Sequence, residues 1–527
     1  MDSNTLEKAK QGGKYEVGLI VVSLAILIAF VVMMVLKPDS MLFGVNLVFN
    51  KIIAVFGGIL EVFTLLTLCI AIYLGVGKYG NVKFGDEPPE YKTFSYIAMM
   101  TLAALASAAL YWSYTEWAYY YEAPGLGMVP ESLEALESSL AYQLFHWGVS
   151  GQCVYVGIGA AMAYAVYVRK VPVLQTSYIC GSMMGNIKGK SAIGKFIDFA
   201  VIFGIVGGLG CTLGLAVPLT AGAIKQVFGI ESTFLMKVLI VLFIALIFTF
   251  TSFIGTKKGM KRLSDFSAAL CIVFLIFVFL AGPTTYIIKN TVNSFGWMIQ
   301  MFPRMSLFTD PVAQTGFPES WTMFFQAFYL NYAAMMGIFI AKISKGRKMR
   351  ELVWATLIGI SAGGWFLFCI NGSFSQWTHI NGLTDVVELV NSGAGEAGIF
   401  DVVQILPGGA VLLPLVIMVI IVGFVASSLD SASLALAQTT TKIYEKDGNV
   451  NRWMRVFWCI VLTLVPLSIM FAGAEFSVLK TVSIIVSVPF LVIVLFMEIS
   501  LLKWLSADRK AGKLEIYGIN RDFDQLK

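Results

Sequence analysis

An aromatic-rich stretch from Tyr111 to Tyr121 holds the side chains whose chemistry says most about this chain. It reads YWSYTEWAYYY. Trp and Tyr rings form belts at membrane–water interfaces, and they also hold cationic ligands over their π faces. The small residues of Ala103 to Ala109, AALASAA, precede it, and such residues let backbones approach closely and leave room for a guest. Rings and space together favour a cation site, while an interfacial belt stays open for most of the rings taken singly.

A second group of rings lies further along the chain, and one tryptophan stands between the two groups. The second group comprises Trp321, Phe324, Phe325, Phe328, Tyr329 and Tyr332. Plain helix packing would also explain its spacing, so that alternative stays open. Trp147 precedes Gly148, where a helix can open, which makes its indole a candidate ligand contact. His146 has only His379 as a companion, which predicts a structural hydrogen bond rather than a metal site.

The composition indicates that these rings belong to a membrane protein. The 527 residues are 58% hydrophobic and 13% charged, with a mean hydropathy of +0.80. Apolar runs long enough to cross about 30 Å of hydrocarbon recur about 12 times. We therefore predict an all-α integral membrane protein with about 12 transmembrane helices. The net charge of +5 comes from basic residues spread between the spans, which argues against a nucleic-acid partner.

The distribution of Lys and Arg predicts the topology. Neither residue type occurs between Lys92 and Arg169 or between Arg350 and Lys442, so these gaps should contain the outside loops. The basic clusters between other spans are typical of cytoplasmic loops. We expect a multi-pass protein of the cell inner (plasma) membrane with both termini in the cytoplasm.

Two aromatic-rich spans, the third and the eighth, lie at an interval of five spans, which is typical of an inverted repeat. The prediction is an N-terminal tail with spans 1 and 2 (1–92), a first repeat of spans 3–7 (93–289), an interfacial amphipathic helix and loop (290–317), a second repeat of spans 8–12 (318–503) and a cytoplasmic tail (504–527). The substrate should then lie near the midplane between the repeats, on helices interrupted at Ala104 to Ala108 and around Phe328.

Other local signals predict helix ends. The glycine-rich fifth span should end near Pro218, and Ser264 or Asp265 should cap the seventh. The carboxylate of Asp430 could join a gate or a coupling site, and a cap on a broken helix is the alternative. Seven scattered cysteines without CxxC spacing argue against a disulfide framework and a zinc site.

Several longer motifs are recognisable in order along the chain. They are WSYTEWAYYYEAP, FHWG, GTKKGMKRLSD, PRMSLFTDPVAQTGFPESWTMFF, AKISKGRKMREL and SSLDSASL. Over nearly its whole length the chain resembles the betaine/carnitine/choline transporter family, and within it the pattern is similar to the carnitine/γ-butyrobetaine antiporters. The resemblance implies a twelve-span, inverted-repeat transporter of the sodium-symporter-like fold, a homotrimer that carries small methylammonium zwitterions between aromatic walls.

The resemblance also implies a set of site residues. The substrate-binding residues would be Tyr119, Trp147, Gln152, Tyr155, Phe328, Tyr329 and Tyr332, and Trp112 and Trp321 would line an access path. The family usually has Trp where Gln152 and Phe328 stand. Gln152 removes one aromatic wall and adds a hydrogen-bonding amide, so the substrate could carry a polar group or an N–H near its cationic end.

The resemblance bears on ion coupling as well. Lys261 and Met336 occupy positions where the sodium-independent antiporter has an arginine and a methionine. An ammonium can replace a sodium charge, and a thioether is a poor ligand for a hard cation. A positive-inside loop lysine and a packing methionine remain the alternative explanations. Ser427 and Ser428 keep hydroxyls that a residual sodium site would use.

These observations favour a sodium-independent exchanger of onium zwitterions that works by alternating access, with no cofactor. A sodium-coupled symporter of a betaine or a less methylated amine is the alternative. A membrane-embedded enzyme would need a nucleophile–base pair or a metal cluster, and the sequence has no GxSxG or HExxH motif. A channel is a further class, although an aromatic box favours occlusion over a continuous pore.

Overall fold

Helices account for nearly all of the chain that the computed structural model describes, which comprises residues 15–171, 173–185, 192–254, 261–442, 450–471 and 476–514. The helices are α1 (Val17–Leu36), α2 (Pro38–Val76), α3 (Thr93–Leu102), α4 (Ser107–Glu122), α5 (Leu133–His146), α6 (Val149–Ala163), α7 (Thr176–Met183), α8 (Ala192–Phe228), α9 (Phe234–Ile254), α10 (Lys261–Ala281), α11 (Thr284–Ser306), α12 (Met323–Ile343), α13 (Met349–Trp354), α14 (Ser361–Ile380), α15 (Val386–Asn391), α16 (Gly395–Gln404), α17 (Leu412–Thr439), α18 (Arg452–Phe471) and α19 (Phe476–Lys510). Three π-helical turns, Tyr164–Val168, Pro318–Thr322 and Ala355–Ile360, adjoin them.

The described part of the chain has the helices of a multi-pass membrane protein. Ten of its helices are long and apolar enough to cross a bilayer, or eleven when the bent pair α3 and α4 counts as one span. The 20-residue helix α18 lies where the eleventh span was expected. The prediction of an all-α membrane protein is confirmed, whereas the boundaries of the two repeats stay predictions.

The third span is broken where the sequence predicted an interruption. Helix α3 ends at Leu102, α4 begins at Ser107, and the two axes differ by 59°. Gly363 of α14 packs against this break, because a Cβ added there would lie 2.0 Å from the carbonyl oxygen of Thr101. Close approach of α14 therefore requires glycine at this position.

A second break separates α5 from α6 at Trp147 and Gly148. A Cβ on Gly148 would meet the carbonyl oxygen of Leu144 at 2.4 Å, so the turn requires glycine. The indole N–H of Trp365 donates to the same Leu144 oxygen at 2.8 Å. This bond satisfies a carbonyl that the interrupted helix leaves free, which matters in a membrane because water is not there to do so.

Three local predictions were wrong. Helix α12 continues through Phe328, and the irregular backbone is the π-helical turn before it. Helix α8 continues through Pro218 to Phe228, which a membrane helix tolerates because neighbouring groups can satisfy the carbonyl that proline leaves free. Helix α10 begins at Lys261, which places Ser264 and Asp265 inside its first turns rather than at its cap.

The amphipathic segment predicted at 290–317 does contain a helix, and that helix is longer at its N-terminal end than expected. Helix α11 begins after Pro283 and runs to Ser306, where Leu307 follows. Its position at a membrane interface stays a prediction.

Glycines on α6 and α12 bring the two helices into close contact. A Cβ on Gly151 would lie 2.1 Å from the ring of Tyr329, and one on Gly159 would lie 2.7 Å from Ile340. On the opposing helix, Gly337 faces Ile158. Small residues allow such backbone approach in membranes. The contact places the α12 aromatic side chains against the α6 polar ones.

Candidate functional site

A cavity of about 110 Å³ lies where the α3–α4 break, α6 and α12 meet. It is lined by Ala103, Ala104, Ala106, Ala108, Trp147, Gln152, Tyr155, Thr212, Phe328, Tyr329, Tyr332, Met335, Met336, Ile360 and Ser428. The alanines leave the space, and the rings and the amide form walls around it. Six of the seven predicted substrate-binding residues thus lie around one cavity, together with Met336 and Ser428.

The rings on the cavity wall contact one another and a second layer behind them. Trp147 stacks on Phe368, with ring centroids 5.0 Å apart, and its ring lies 6.4 Å from that of Phe328. Phe328 lies 4.9 Å from Tyr332. Such contacts restrict each ring to one orientation, so the aromatic faces are positioned before a ligand arrives.

A buried carboxyl group anchors Trp147. The indole N–H of Trp147 donates to Oε2 of Glu116 at 2.8 Å, and the hydroxyl of Tyr120 donates to Oε1 of Glu116 at 2.5 Å. Glu116 has no exposed surface. The carboxyl group of Glu116 is therefore paired with two buried donors and does not reach water.

His146 extends this network away from the cavity. Its Nδ1 lies 2.8 Å from the hydroxyl of Tyr120, and its Nε2 lies 3.1 Å from the hydroxyl of Thr322. The predicted structural hydrogen-bonding role of His146 is confirmed. The network joins α4 and α5 to the π-helical turn that leads into α12.

The side-chain amide of Gln152 has its nitrogen hydrogen-bonded and its oxygen free. Its Nε2 lies 3.4 Å from the hydroxyl of Tyr329, whereas its Oε1 is buried without a partner among the described residues. Tyr332, another polar residue of the cavity wall, does have a partner, because its hydroxyl is hydrogen-bonded to the hydroxyl of Thr212 at 2.7 Å. A buried acceptor without a donor costs roughly 1–3 kcal/mol, so a donor on a guest would be favoured here.

Tyr119 lies in a separate group of rings with the two access-path tryptophans. Its centroid lies 5.0 Å from that of Trp321 and 5.9 Å from that of Trp112, and the two tryptophans lie 5.6 Å apart. Phe325 joins this group to the cavity wall, at 5.3 Å from Trp147. Tyr119 is not among the described lining of the cavity. We call Trp112, Tyr119 and Trp321 the outer cluster.

Hydrogen bonds fix the loop that leads to Trp321. The backbone N–H and the hydroxyl of Thr315 both donate to Oδ2 of Asp310 at 2.7 Å. The hydroxyl bond of Thr315 is the largest of the effects that lower the pKa of Asp310 below its ordinary value. The loop is thereby held at the point where it enters the π-helical turn.

The proposed ion-coupling positions divide into three groups. Met336 and Ser428 line the cavity. The hydroxyl of Ser427 instead donates to the carbonyl of Phe424 in its own helix, at 3.0 Å. Lys261 begins α10, and its side chain lies outside the described residues.

Asp430 belongs to a buried ion pair. Arg455 of α18 and the hydroxyl of Ser252 both donate to its carboxylate, and it has no exposed surface. Helix α17 is continuous through Asp430, so the expectation of a cap on a broken helix is wrong. The pair joins α17 to α18.

Two features of the site escaped the sequence analysis. The bond between Glu116 and Trp147 joins residues 31 positions apart, and no local pattern predicts it. The ammonium group of Lys480 lies 3.9 Å from the ring centroid of Trp321. The sequence does carry a signal for Lys480, because a lysine inside the apolar run of α19 is costly in lipid and so marks a functional position.

Comparisons with known proteins agree with this architecture. A family model described as BCCT, betaine/carnitine/choline family transporter, matches residues 18–510. A relative from Acinetobacter baumannii named carnitine transporter is 34% identical over 446 residues, which cover 85% of this chain and 81% of the relative. A relative from Escherichia coli K12 named uncharacterized transporter YeaV is 34% identical over 456 residues, which cover 86% of this chain and 94% of the relative.

Among solved structures, a substrate-bound outward-open Na+-coupled sialic acid symporter matches with a TM-score of 0.43 and 14% identity. The match covers 79% of this chain and 80% of that one. A likeness this weak carries no argument. The family match and the two relatives show that this chain belongs to the betaine/carnitine/choline family of transporters.

Proposed function

We propose that this transporter exchanges small quaternary-ammonium or related onium zwitterions, without sodium, by alternating access. The observation that carries the proposal is the cavity walled by Trp147, Phe328 and the three tyrosines, with one polar amide at Gln152. A desolvated aromatic face stabilises an onium group by about 2 kcal/mol, and tryptophan is the aromatic side chain that binds cations best. The family and the relatives are transporters, so the chain is not an enzyme.

The name of one relative supports the same substrate class. The Acinetobacter protein is named a carnitine transporter, and carnitine is a trimethylammonium zwitterion. The open acceptor on Gln152 adds a preference that an all-aromatic box would lack, because a hydroxyl or N–H on the substrate can donate to it. We therefore propose an onium zwitterion with a donor group close to its cationic end.

Sodium independence rests on Met336. Its side chain lines the cavity, where a thioether is a poor ligand for a hard cation that needs oxygen. Ser428 favours the second candidate, a sodium-coupled symporter, because its residue lines the same cavity. The hydroxyl of Ser427 is already bonded to its own helix, which leaves one fewer oxygen ligand for sodium.

Proteoliposomes test this proposal directly. Vesicles loaded with one unlabelled onium compound should take up another labelled one saturably, and potassium in place of sodium should leave the rate unchanged. A panel of onium competitors then orders the substrates. Uptake that requires a sodium gradient would establish the symporter, and flux without saturation or without internal substrate would contradict exchange.

Gln152→Trp should shift the preference toward compounds with a fully methylated ammonium by about five- to tenfold, because a ring replaces an amide on the cavity wall. Competition by tri- and dimethylammonium analogues of one compound measures the shift. Gln152→Leu is the matched control, since it removes the amide without adding a ring. Equal shifts in both variants would attribute the preference to loss of the amide alone, and no shift in either would place Gln152 outside the binding contact.

The assembly and orientation of the protein belong to this proposal as well. We propose a homotrimer in the bacterial inner membrane with both termini in the cytoplasm, as the distribution of basic residues favours. Native mass spectrometry of the detergent-solubilised protein tests the trimer, and protease access to terminal tags in oriented vesicles tests the topology.

A further inference from the structure

A cationic side chain lies against the outer cluster. The ammonium nitrogen of Lys480 lies 3.9 Å from the ring centroid of Trp321 and 4.8 Å from that of Phe324. Lys480 lies in the second turn of α19 and is half-buried. Among the described residues, no carboxylate lies within 4.0 Å of its ammonium group.

The position of Lys480 lies beside the proposed route to the cavity. Trp321 belongs to the outer cluster, with Tyr119 at 5.0 Å. Phe324, the other ring that Lys480 contacts, lies 6.0 Å from Phe328 on the cavity wall. One ring, that of Phe324, thus contacts both the ammonium group of Lys480 and Phe328 on the cavity wall.

A fixed positive charge at this place changes what the outer cluster can bind. The ammonium covers one face of Trp321, so a second cation loses that face and is repelled by the charge already there. An ammonium held away from water without an anionic group in direct contact is costly, and a guest carboxylate would offset that cost. The outer cluster thus suits the anionic end of a zwitterion better than a simple cation.

We propose that Lys480 is a specificity-determining residue that docks the carboxylate of an entering zwitterion and discriminates against onium cations that have no anionic group. The proposal rests on the proposed function, since it assumes an onium substrate, and it narrows that function to zwitterions. Glu116 is a carboxyl group that interacts electrostatically with Lys480, but its two oxygens already accept hydrogen bonds from Trp147 and Tyr120, so it does not pair with the ammonium group directly.

A pair of compounds that differ in one group tests the discrimination. Glycine betaine and choline share a trimethylammonium group, and only the former carries a carboxylate. Each is used to compete with a labelled onium substrate in proteoliposomes that contain the full chain. The wild type should favour glycine betaine, and Lys480→Met should reduce the ratio of the two inhibition constants about tenfold, which corresponds to about 1.4 kcal/mol.

Lys480→Arg is the matched control, because it keeps the positive charge and the contact with Trp321 and should keep the ratio. Lys480→Gln provides a second neutral variant if the Met variant does not fold, as judged by gel filtration. An unchanged ratio in a folded, neutral variant would overturn the role of Lys480. Failure of both compounds to compete in the wild type would instead contradict the proposed function, so the two failures are distinguishable.

Discussion

Trp147→Ala should weaken binding of the onium substrate about thirtyfold. Trp147 is the one tryptophan on the described lining of the cavity. Loss of a desolvated cation–π contact worth about 2 kcal/mol corresponds to this factor in the dissociation constant. Its ring is also fixed by Phe368 and by Glu116, so the wild-type site holds it ready for the ligand. Binding of labelled substrate to purified protein measures the change.

Two further variants separate ligand contact from packing. Trp147→Phe keeps an aromatic face with a weaker π donor, so its affinity should lie between the wild type and the alanine variant. Trp453→Ala removes an indole that is 69% exposed and should leave affinity unchanged. Equal losses at Trp147 and Trp453 would favour the interfacial-belt interpretation of the rings over a binding wall.

The break in the third span could be predicted because its cause is local. The small residues of Ala103 to Ala109 allow a neighbouring helix to approach closely, and α14 does so through Gly363 at the start of this run, where the break occurs. The predicted break around Phe328 failed because it was inferred by analogy with the first repeat. The residues of α12 that pack on the glycines of α6 form an uninterrupted helix.

The separation of Tyr119 from the cavity follows from helix geometry. Tyr119 lies seven residues after Trp112 in α4, so the two share a helix face, and both contact Trp321. This spacing could have placed Tyr119 with the access path from the sequence alone. The resemblance to the family instead grouped it with Trp147, whereas in the structure Tyr119 lies with Trp112 and Trp321, and Phe325 contacts both Trp112 and Trp147.

Contacts between distant segments could not be predicted, since no periodicity reports them. Glu116 of α4 accepts a hydrogen bond from Trp147, which follows α5, and Lys480 contacts Trp321 from α19, the last helix in the described part of the chain. The hydrogen bond between Tyr120 and Glu116 could have been predicted from the sequence, because Tyr120 lies four residues after Glu116 on the same helix face. Residue types therefore predicted the chemistry of the site, and tertiary packing decided which groups meet.

Glu116→Ala should lower the free energy of unfolding by about 1–3 kcal/mol, because it leaves the buried indole N–H of Trp147 without an acceptor, whereas the Tyr120 hydroxyl keeps its hydrogen bond with Nδ1 of His146. Affinity should fall as well, since the indole is no longer held against the cavity. Thermal unfolding in detergent, with and without substrate, measures both effects.

The two hydrogen bonds that Glu116 accepts can be separated by keeping one acceptor oxygen. Glu116→Gln retains a carbonyl oxygen for Trp147, so it should recover most of the stability. Any affinity that it fails to recover then measures what the second carboxyl oxygen, which accepts from Tyr120, contributes to positioning the indole. Glu137→Ala, at an exposed carboxylate in the adjacent helix α5, should change neither quantity. If the alanine variant at Glu116 is as stable as this control, the carboxyl group does not anchor Trp147, and the orientation of the indole must depend on its packing against the neighbouring rings of Phe325, Phe328 and Phe368.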